Sequence, residues 1–208
     1  MWRDNGAREA AARVMLSQEV AYFTVDPDAL FPRRAPLEIE IGAGKGEFII
    51  EYAAAHPERN FLAIELSKVV GQLLAVRCGR AELPNVRVAR IDARTLVNLM
   101  LPDASVAAFH IYYPDPWPKE RHLKHRMVTP YFARSLARTL IPNGAVYAAS
   151  DVKGWAEEIF AMLEAGGFGR IDVEPPGARQ TGFARKYLAQ GKPVYFASFA
   201  LSSREETR

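Results

Sequence analysis

The chain has 208 residues, 49% hydrophobic and 25% charged, with 27 Lys and Arg against 24 Asp and Glu, a formal charge of +3 and a pI near 9.0. That length suits one globular domain, or one with small additions, and so mild a basicity leaves any nucleic-acid partner to be argued from where the charges cluster. Cys78 is the only cysteine, which excludes an intrachain disulfide and a thiolate zinc cluster, and no apolar run approaches the ~20 residues that cross a bilayer.

The opening residues lack the apolar core and cleavage site of a secretory signal, so a soluble protein of a reducing cytoplasm is expected. From Ala7 to Tyr22 the composition favours a helix, which Asp26-Pro27 and Phe31-Pro32-Arg33-Arg34 then break. Residues 1–36 therefore read as a helical arm and linker, and residues 37–208 as the main domain. The arginines of the arm suit phosphate contacts or a plain solvated face equally.

At Leu37 the pattern changes to LEIEIGAGKGEFIIEYAAAH, a short strand running into a glycine-rich turn and an Ala-rich helix. Gly42, Gly44 and Gly46 let the backbone turn sharply and approach a ligand, while the helix starting near Glu47 aims its amides at the same spot. The third glycine comes one place too early for a dinucleotide fingerprint, and Glu47 would repel a pyrophosphate. Lys45 also lacks the Ser or Thr that follows it in a phosphate-binding loop. E-x-G-x-G-x-G instead resembles the first motif of S-adenosylmethionine-dependent methyltransferases, whose ligand has an amino-acid end and no phosphate. Glu40, leading the turn, is then expected to meet the ligand's ammonium.

Asn60 to Glu65 reads as a second strand closing in an acid about 20 residues beyond the turn, where a carboxylate accepts both ribose hydroxyl protons. A surface Glu at a strand end gives the same pattern. Ser67 caps a helix running to Leu83, with Cys78 on its buried face. A third strand, NVRVARID, ends in Asp92, which suits the adenine amino group, the N-cap of the next helix, or both. Ser105 to Tyr112 is a central, mostly apolar fourth strand. Beyond it, Thr129 to Leu140 reads as a helix, GAVYAASD as a fifth strand ending in Asp151, and Gly154 to Ala165 as a further helix. FGRIDVE and PVYFASFALS are the last two strands, with PPGARQTGFARKYLAQGK between them as a polar loop. The alternation predicts an α/β, Rossmann-like fold: a mostly parallel seven-stranded sheet, helices on both faces, and an antiparallel terminal strand.

The fourth strand delivers YYPDPWPKERHLKHR, Tyr112 to Arg126, to the crevice where an open α/β sheet keeps its chemistry. Pro114, Pro116 and Pro118 stiffen the backbone around Asp115 and Trp117. Lys119, Arg121, His122, Lys124, His125 and Arg126 follow at once as a basic comb. A Pro-rich turn ending a strand beside a solvated basic face is the plainer reading.

Taken together, EIGAGKGEF, FLAIE, Asp92, PDPWPKERHLKHR, Asp151 and the Thr181 loop are similar to the bacterial tRNA (guanine-N(7)-)-methyltransferases, class I S-adenosylmethionine-dependent enzymes, over nearly the whole chain beyond Leu37. The glycine motif is shared by many methyltransferases, whereas DPWPK followed by the basic comb is far more specific. The resemblance implies methyl transfer from S-adenosylmethionine, without a metal, to a guanosine in the variable loop of tRNA, with no obligate protein partner. It matches Glu40, Glu65, Asp92 and Asp115 to cofactor contacts, the glycines Gly42, Gly44 and Gly46 to the cofactor turn, and Asp115 to the catalytic position. Lys119, Asp151 and Thr181 match substrate positions, and Arg121, His122, Lys124, His125 and Arg126 fall at or beside the RNA-contact stretch. One departure stands out: the family's T-x-x-E ends here in Ala184, so a carboxylate that would bind guanine's amino and ring N–H groups is lost. Asp151 taking on more of that work, or relaxed specificity, would follow. Two other classes stay open, a methyltransferase of exocyclic amines and a non-catalytic tRNA-binding module that kept the fold.

Overall fold

The computed structural model describes residues 4–16, 25–116, 126–179 and 181–202. Seven strands, β1 (Leu37–Ile41), β2 (Asn60–Ile64), β3 (Val86–Ala89), β4 (Val106–Tyr112), β5 (Leu140–Ser150), β6 (Phe168–Ile171) and β7 (Tyr195–Leu201), form one sheet in the order β3-β2-β1-β4-β5-β7-β6. Pairs among β1 to β5 are parallel, and β7 runs antiparallel to both β5 and β6. The chain leaves β1 in one direction for β2 and β3, then returns to the other side with β4. That reversal opens a crevice beyond the carboxyl ends of β1 and β4.

Among the described residues the helices are α1 (Asn5–Ala12), α2 (Glu47–Ala55), α3 (Lys68–Arg80), α4 (Ala93–Thr95, continued by a π-helical turn, Leu96–Met100), α5 (Pro130–Thr139), α6 (Lys153–Ala165) and α7 (Gly182–Leu188). Short polar side chains start several of them. Ser67 Oγ accepts from the Val70 amide at 3.4 Å, Thr129 Oγ1 from Phe132 at 3.1 Å and Thr181 Oγ1 from Ala184 at 3.0 Å. The polar segment expected as a loop between the last two strands thus contains a helix, α7. A threonine cap and the run Phe183 to Leu188 are enough to nucleate two turns where tertiary contacts hold them.

The two faces of the sheet differ. Ile39, Ile41, Phe109, Ile111 and Val146 pack with α5 and α6 into the larger apolar core. The alternate residues, Glu38, Glu40, His110, Tyr112 and Tyr147, turn toward α2, where Phe48 lies 4.9 Å from the His110 ring. A smaller apolar cluster, including Ile49, Phe61, Leu74 and Cys78, completes that side. Burial pushes the Cys78 thiol up to about 12, in keeping with a packing role.

The residues before β1 close the far edge of the sheet. Val88 donates to the Val14 carbonyl and Leu16 donates to the Val88 carbonyl, both at 2.9 Å, so this segment covers the free edge of β3. Here α1 crosses α3 so closely that a Cβ at Gly79 would lie 1.8 Å from the Ala10 carbonyl oxygen. Gly79→Ala is therefore expected to lift α1 from α3 and to cost about 1–3 kcal/mol in urea unfolding. Gly154→Ala in α6, whose Cβ would meet nothing within 4 Å, should be neutral or stabilising by up to about 1 kcal/mol.

Candidate active site

The glycine turn after β1 takes its shape from left-handed backbone. Gly42, Gly44 and Gly46 have φ of 78°, 54° and 77°, angles that cost an L side chain about 1–2 kcal/mol each. The amides of Gly42 and Ala43 both donate to the Ile64 carbonyl at 2.9 Å, tying the turn to the end of β2. Glu65 fixes it further. One carboxylate oxygen accepts from the Gly44 amide at 3.1 Å and the other from the Ser67 amide at 2.8 Å, which leaves each oxygen a second lone pair. Gly46 begins α2, where a Cβ would fall 2.5 Å from a Leu74 methyl.

Beside this turn lies a cavity of about 410 Å³. Glu40, Gly42 and Gly44 form one wall, Tyr112 and Tyr113 line it at the end of β4, and Thr181, Gly182 and Phe183 close it from α7. The exposed lysines Lys45 and Lys186 also border it. Glu40 is 5% exposed, and its Oε2 has no hydrogen-bond partner. Burial, reinforced by the Glu65 and Glu47 carboxylates, pushes Glu40 well above the ordinary carboxylate range, against a backbone hydrogen bond from Ile49. An unpaired, desolvated acceptor in a cavity fits a ligand ammonium. The open space where Gly42 would carry a Cβ lets a ligand approach the backbone. The residues present therefore suit a donor that has an amino-acid end.

Two tyrosines bind the α7 side to β4. Tyr112 Oη donates to the Pro176 carbonyl at 2.7 Å and Tyr113 Oη to that of Ala178 at 2.8 Å. Tyr113 itself has φ of 53°, a strained value for a bulky residue. Its amide donates to the Ala149 carbonyl at 2.8 Å, and Trp155 Nε1 donates to the Pro114 carbonyl at 3.0 Å, so both sides of the turn are pinned. Behind Tyr112 lies a buried polar pair. His110 Nε2 is 2.7 Å from Glu38 Oε2, His110 Nδ1 is 3.1 Å from Tyr112 Oη, and Arg59 donates to the other Glu38 oxygen. Burial raises Glu38, yet His110 and Arg59 outweigh it and hold the carboxylate below its usual range. Burial likewise keeps His110 below the ordinary histidine value despite Glu38.

Of the residues singled out in the sequence, Glu40, Gly42, Gly44 and Thr181 line the cavity, and Glu65 grips its glycine turn. Asp92 is engaged locally: it caps α4 through the Arg94 amide at 2.7 Å and pairs with the Arg94 guanidinium at 2.8 Å. Asp115 is exposed, two residues beyond Tyr113, and is not part of the lining. Asp151 stands just beyond the end of β5 and is not part of the lining. Arg126 is paired with Glu158 and lies 4.7 Å over the Trp155 ring, so its charge is already engaged. Trp117, Lys119, Arg121, His122, Lys124 and His125 lie outside the described residues. Sequence reasoning passed over Tyr112, Tyr113, Phe48 and Phe183, all of which line the cavity. Their signal was the alternation His-x-Tyr in β4 and the aromatic after Thr181.

These observations fix three outcomes. A carboxyl whose folded value is raised contributes stability below 4.5 that is lost as pH climbs through the raised value. Glu40→Gln should therefore match the ligand-free wild type in urea melts near pH 4 and become progressively more stable than it as pH rises. His110→Ala takes one donor from the buried Glu38 carboxylate, which keeps Arg59, and opens a cavity beside Phe48; it is expected to cost about 2–4 kcal/mol. Tyr112→Phe, which keeps the pair, should cost about 1 kcal/mol.

A family model described as "Putative methyltransferase" matches residues 34–197. A tRNA (guanine-N(7)-)-methyltransferase of Halorhodospira halophila is 42% identical over 179 residues, which is 82% of this chain and 77% of that protein. The protein of the same name from Syntrophotalea carbinolica is 38% identical over 194 residues, 90% of this chain and 84% of its own length. Among solved structures, the 16S rRNA methyltransferase KamB superposes with a TM-score of 0.62 at 16% identity, covering 86% of this chain and 94% of its own. Like these relatives in sequence, and with a class I methyltransferase fold, the chain belongs to the tRNA (guanine-N(7)-)-methyltransferase family.

Proposed function

We infer that this protein transfers the methyl group of S-adenosylmethionine to N7 of a guanosine in tRNA, and that the guanosine lies in the variable loop. Identity of about 40% with named relatives over most of the chain supports the reaction. The observation that carries the local reading is the unpaired, buried Glu40 oxygen beside a left-handed glycine turn, an acceptor suited to the donor's ammonium. Glu65 keeps a free lone pair on each oxygen and is assigned to the ribose hydroxyls. Asp92, with both oxygens accepting from Arg94, is assigned to the adenine end through its remaining lone pair.

When bound, S-adenosylmethionine supplies an electrophilic methyl on a sulfonium, which leaves with the carbon–sulfur electron pair returned to sulfur. The protein's own work is mostly alignment. Guanine N7 carries an in-plane lone pair and no proton, so attack needs orientation and exclusion of water more than a strong base. The purine becomes cationic as the bond forms, and a carboxylate facing it stabilises charge absent from the ground state. Asp115 is assigned that role. It stands exposed beyond Tyr113, so the assignment requires bound tRNA to cover it. Lys119, Arg121 and Lys124, with His122 and His125 beside them, are assigned to phosphates, giving affinity that falls steeply with salt.

Incubation with labelled S-adenosylmethionine and total tRNA, followed by nucleoside analysis, tests this reading. N7-methylguanosine is the expected product, recognisable because the strand cleaves there after reduction and aniline treatment. Methyl on an exocyclic nitrogen would replace the reading with that of an amine methyltransferase, and tRNA binding without transfer would reduce the protein to a binding module. Asp115→Ala is expected to lose about 100-fold in turnover while tRNA affinity changes less than about threefold. A fully active variant would remove Asp115 from the mechanism.

A further inference from the structure

Glu47, the first residue of α2, lines the cavity and is engaged in no hydrogen bond or ion pair among the described residues. Its carboxylate occupies a particular place: a Cβ at Gly182 would fall 1.7 Å from Glu47 Oε2 and 2.5 Å from its carboxyl carbon. The group therefore fills the space left by the missing side chain at the start of α7, on the wall that carries Thr181 and Phe183. Glu40 stands apart from it, on β1 at the glycine turn. The cavity thus offers open acceptors on two carboxyl groups from different elements, Glu40 Oε2 and Glu47, while the methyl donor brings one ammonium.

The base supplies the second set of donors. Guanine's Watson–Crick edge presents N1–H and the N2 amino group side by side, and one carboxylate accepts both through two nearly parallel hydrogen bonds. Adenine presents an acceptor at N1 and is repelled there. Aromatic surface adjoins the carboxylate: the Tyr113 and Phe183 rings stack at 6.1 Å with 17° between planes, and Phe183 is 58% exposed. That face suits a base turned out of the RNA stack. The other acids near α7 are less suited. Asp151 is not part of the cavity lining, and position 184 is a fully buried alanine.

We propose that Glu47 is the specificity residue that reads the N1–H and N2 amino group of the target guanine, seated for it by the absent side chain of Gly182. The proposal rests on the N7-methyltransferase reading of the cavity. Methylation at N7 makes the purine cationic and its N1–H a stronger donor, so Glu47 holds the methylated base more firmly than the starting one. Part of its contribution therefore appears in turnover as well as in binding.

Glu47→Gln, nearly isosteric, is the test variant, studied in the full chain. Two readouts are taken together: S-adenosylhomocysteine affinity by calorimetry, and methyl transfer to a tRNA carrying either guanosine or inosine at the target, inosine lacking the N2 amino group. Wild type should lose on the order of tenfold in kcat/KM on inosine. Glu47→Gln should lose ten- to a hundredfold on guanosine, lose little more on inosine, and bind S-adenosylhomocysteine within about threefold of wild type. A variant that discriminates guanosine from inosine as wild type does, or that loses its S-adenosylhomocysteine affinity, overturns the proposal and returns Glu47 to the cofactor. Wild-type protein that methylates no guanosine in tRNA sinks the underlying reading and this proposal with it, an outcome distinct from failure of the variant alone.

Discussion

Burying the Glu40 carboxylate with one oxygen unpaired is the constraint around which the rest of this structure is arranged. A desolvated carboxylate without a partner is costly, and Glu65 and Glu47 nearby make it more so. The fold cannot relieve the cost by moving the residue. β1 is paired on both sides, to β2 and β4, and the turn after it is fastened to Ile64 and Glu65. The free energy that keeps Glu40 in place comes from the opposite face, where Ile39, Ile41, Phe109 and Ile111 are buried against α5 and α6 at roughly 25 cal/mol per Å². Ligand binding is then favoured by what the ligand-free protein leaves unsatisfied.

The same division of the sheet explains the Glu38, His110 and Tyr112 layer. Residues two apart on β1 and β4 share the α2 face, so Glu38 stands beside Glu40 and His110 beside Tyr112. A purely apolar face there would pack as well. Instead, the polar layer gives Tyr112 a fixed neighbour in His110 while its hydroxyl holds Pro176. The segment leading to Thr181 and α7 is thereby located by side chains rooted in the centre of the sheet, which is where positional precision is greatest.

Most of this architecture was legible in the chain. Short apolar runs and, in the last two, alternation gave all seven strands, and Ser67, Thr129 and Asp92 marked helix starts that the structure repeats as caps. Strand ends shifted by a residue or more: β5 starts at Leu140 and stops at Ser150, leaving Asp151 just outside it. Two features resisted sequence reading for physical reasons. α7 is seven residues long and starts at a glycine, too short to hold as a helix on the propensity of Arg185, Lys186 and Leu188 alone, so it reads as a loop until its tertiary surroundings are known. Glu38 and His110 lie 72 residues apart, and nothing local says that the two acids of LEIEI face one buried histidine rather than solvent. Thr181 lines the cavity, while its role as the α7 cap could not be read without the helix.

Charge is distributed across the molecule in a way that sorts ligands by part. The cavity contains Glu40 and Glu47, with Glu65 against its glycine turn, whereas Lys45 and Lys186 stand exposed at its border. An RNA phosphate entering such a space would meet carboxylates at low dielectric, where repulsion is strongest. A neutral base with N–H donors, or an ammonium, meets acceptors in Glu40 and Glu47. The net charge of +3 is too small to attract RNA by itself, so the few exposed cations at the border carry more weight than the total. Such a lining selects ligands by chemical group before any reading of sequence.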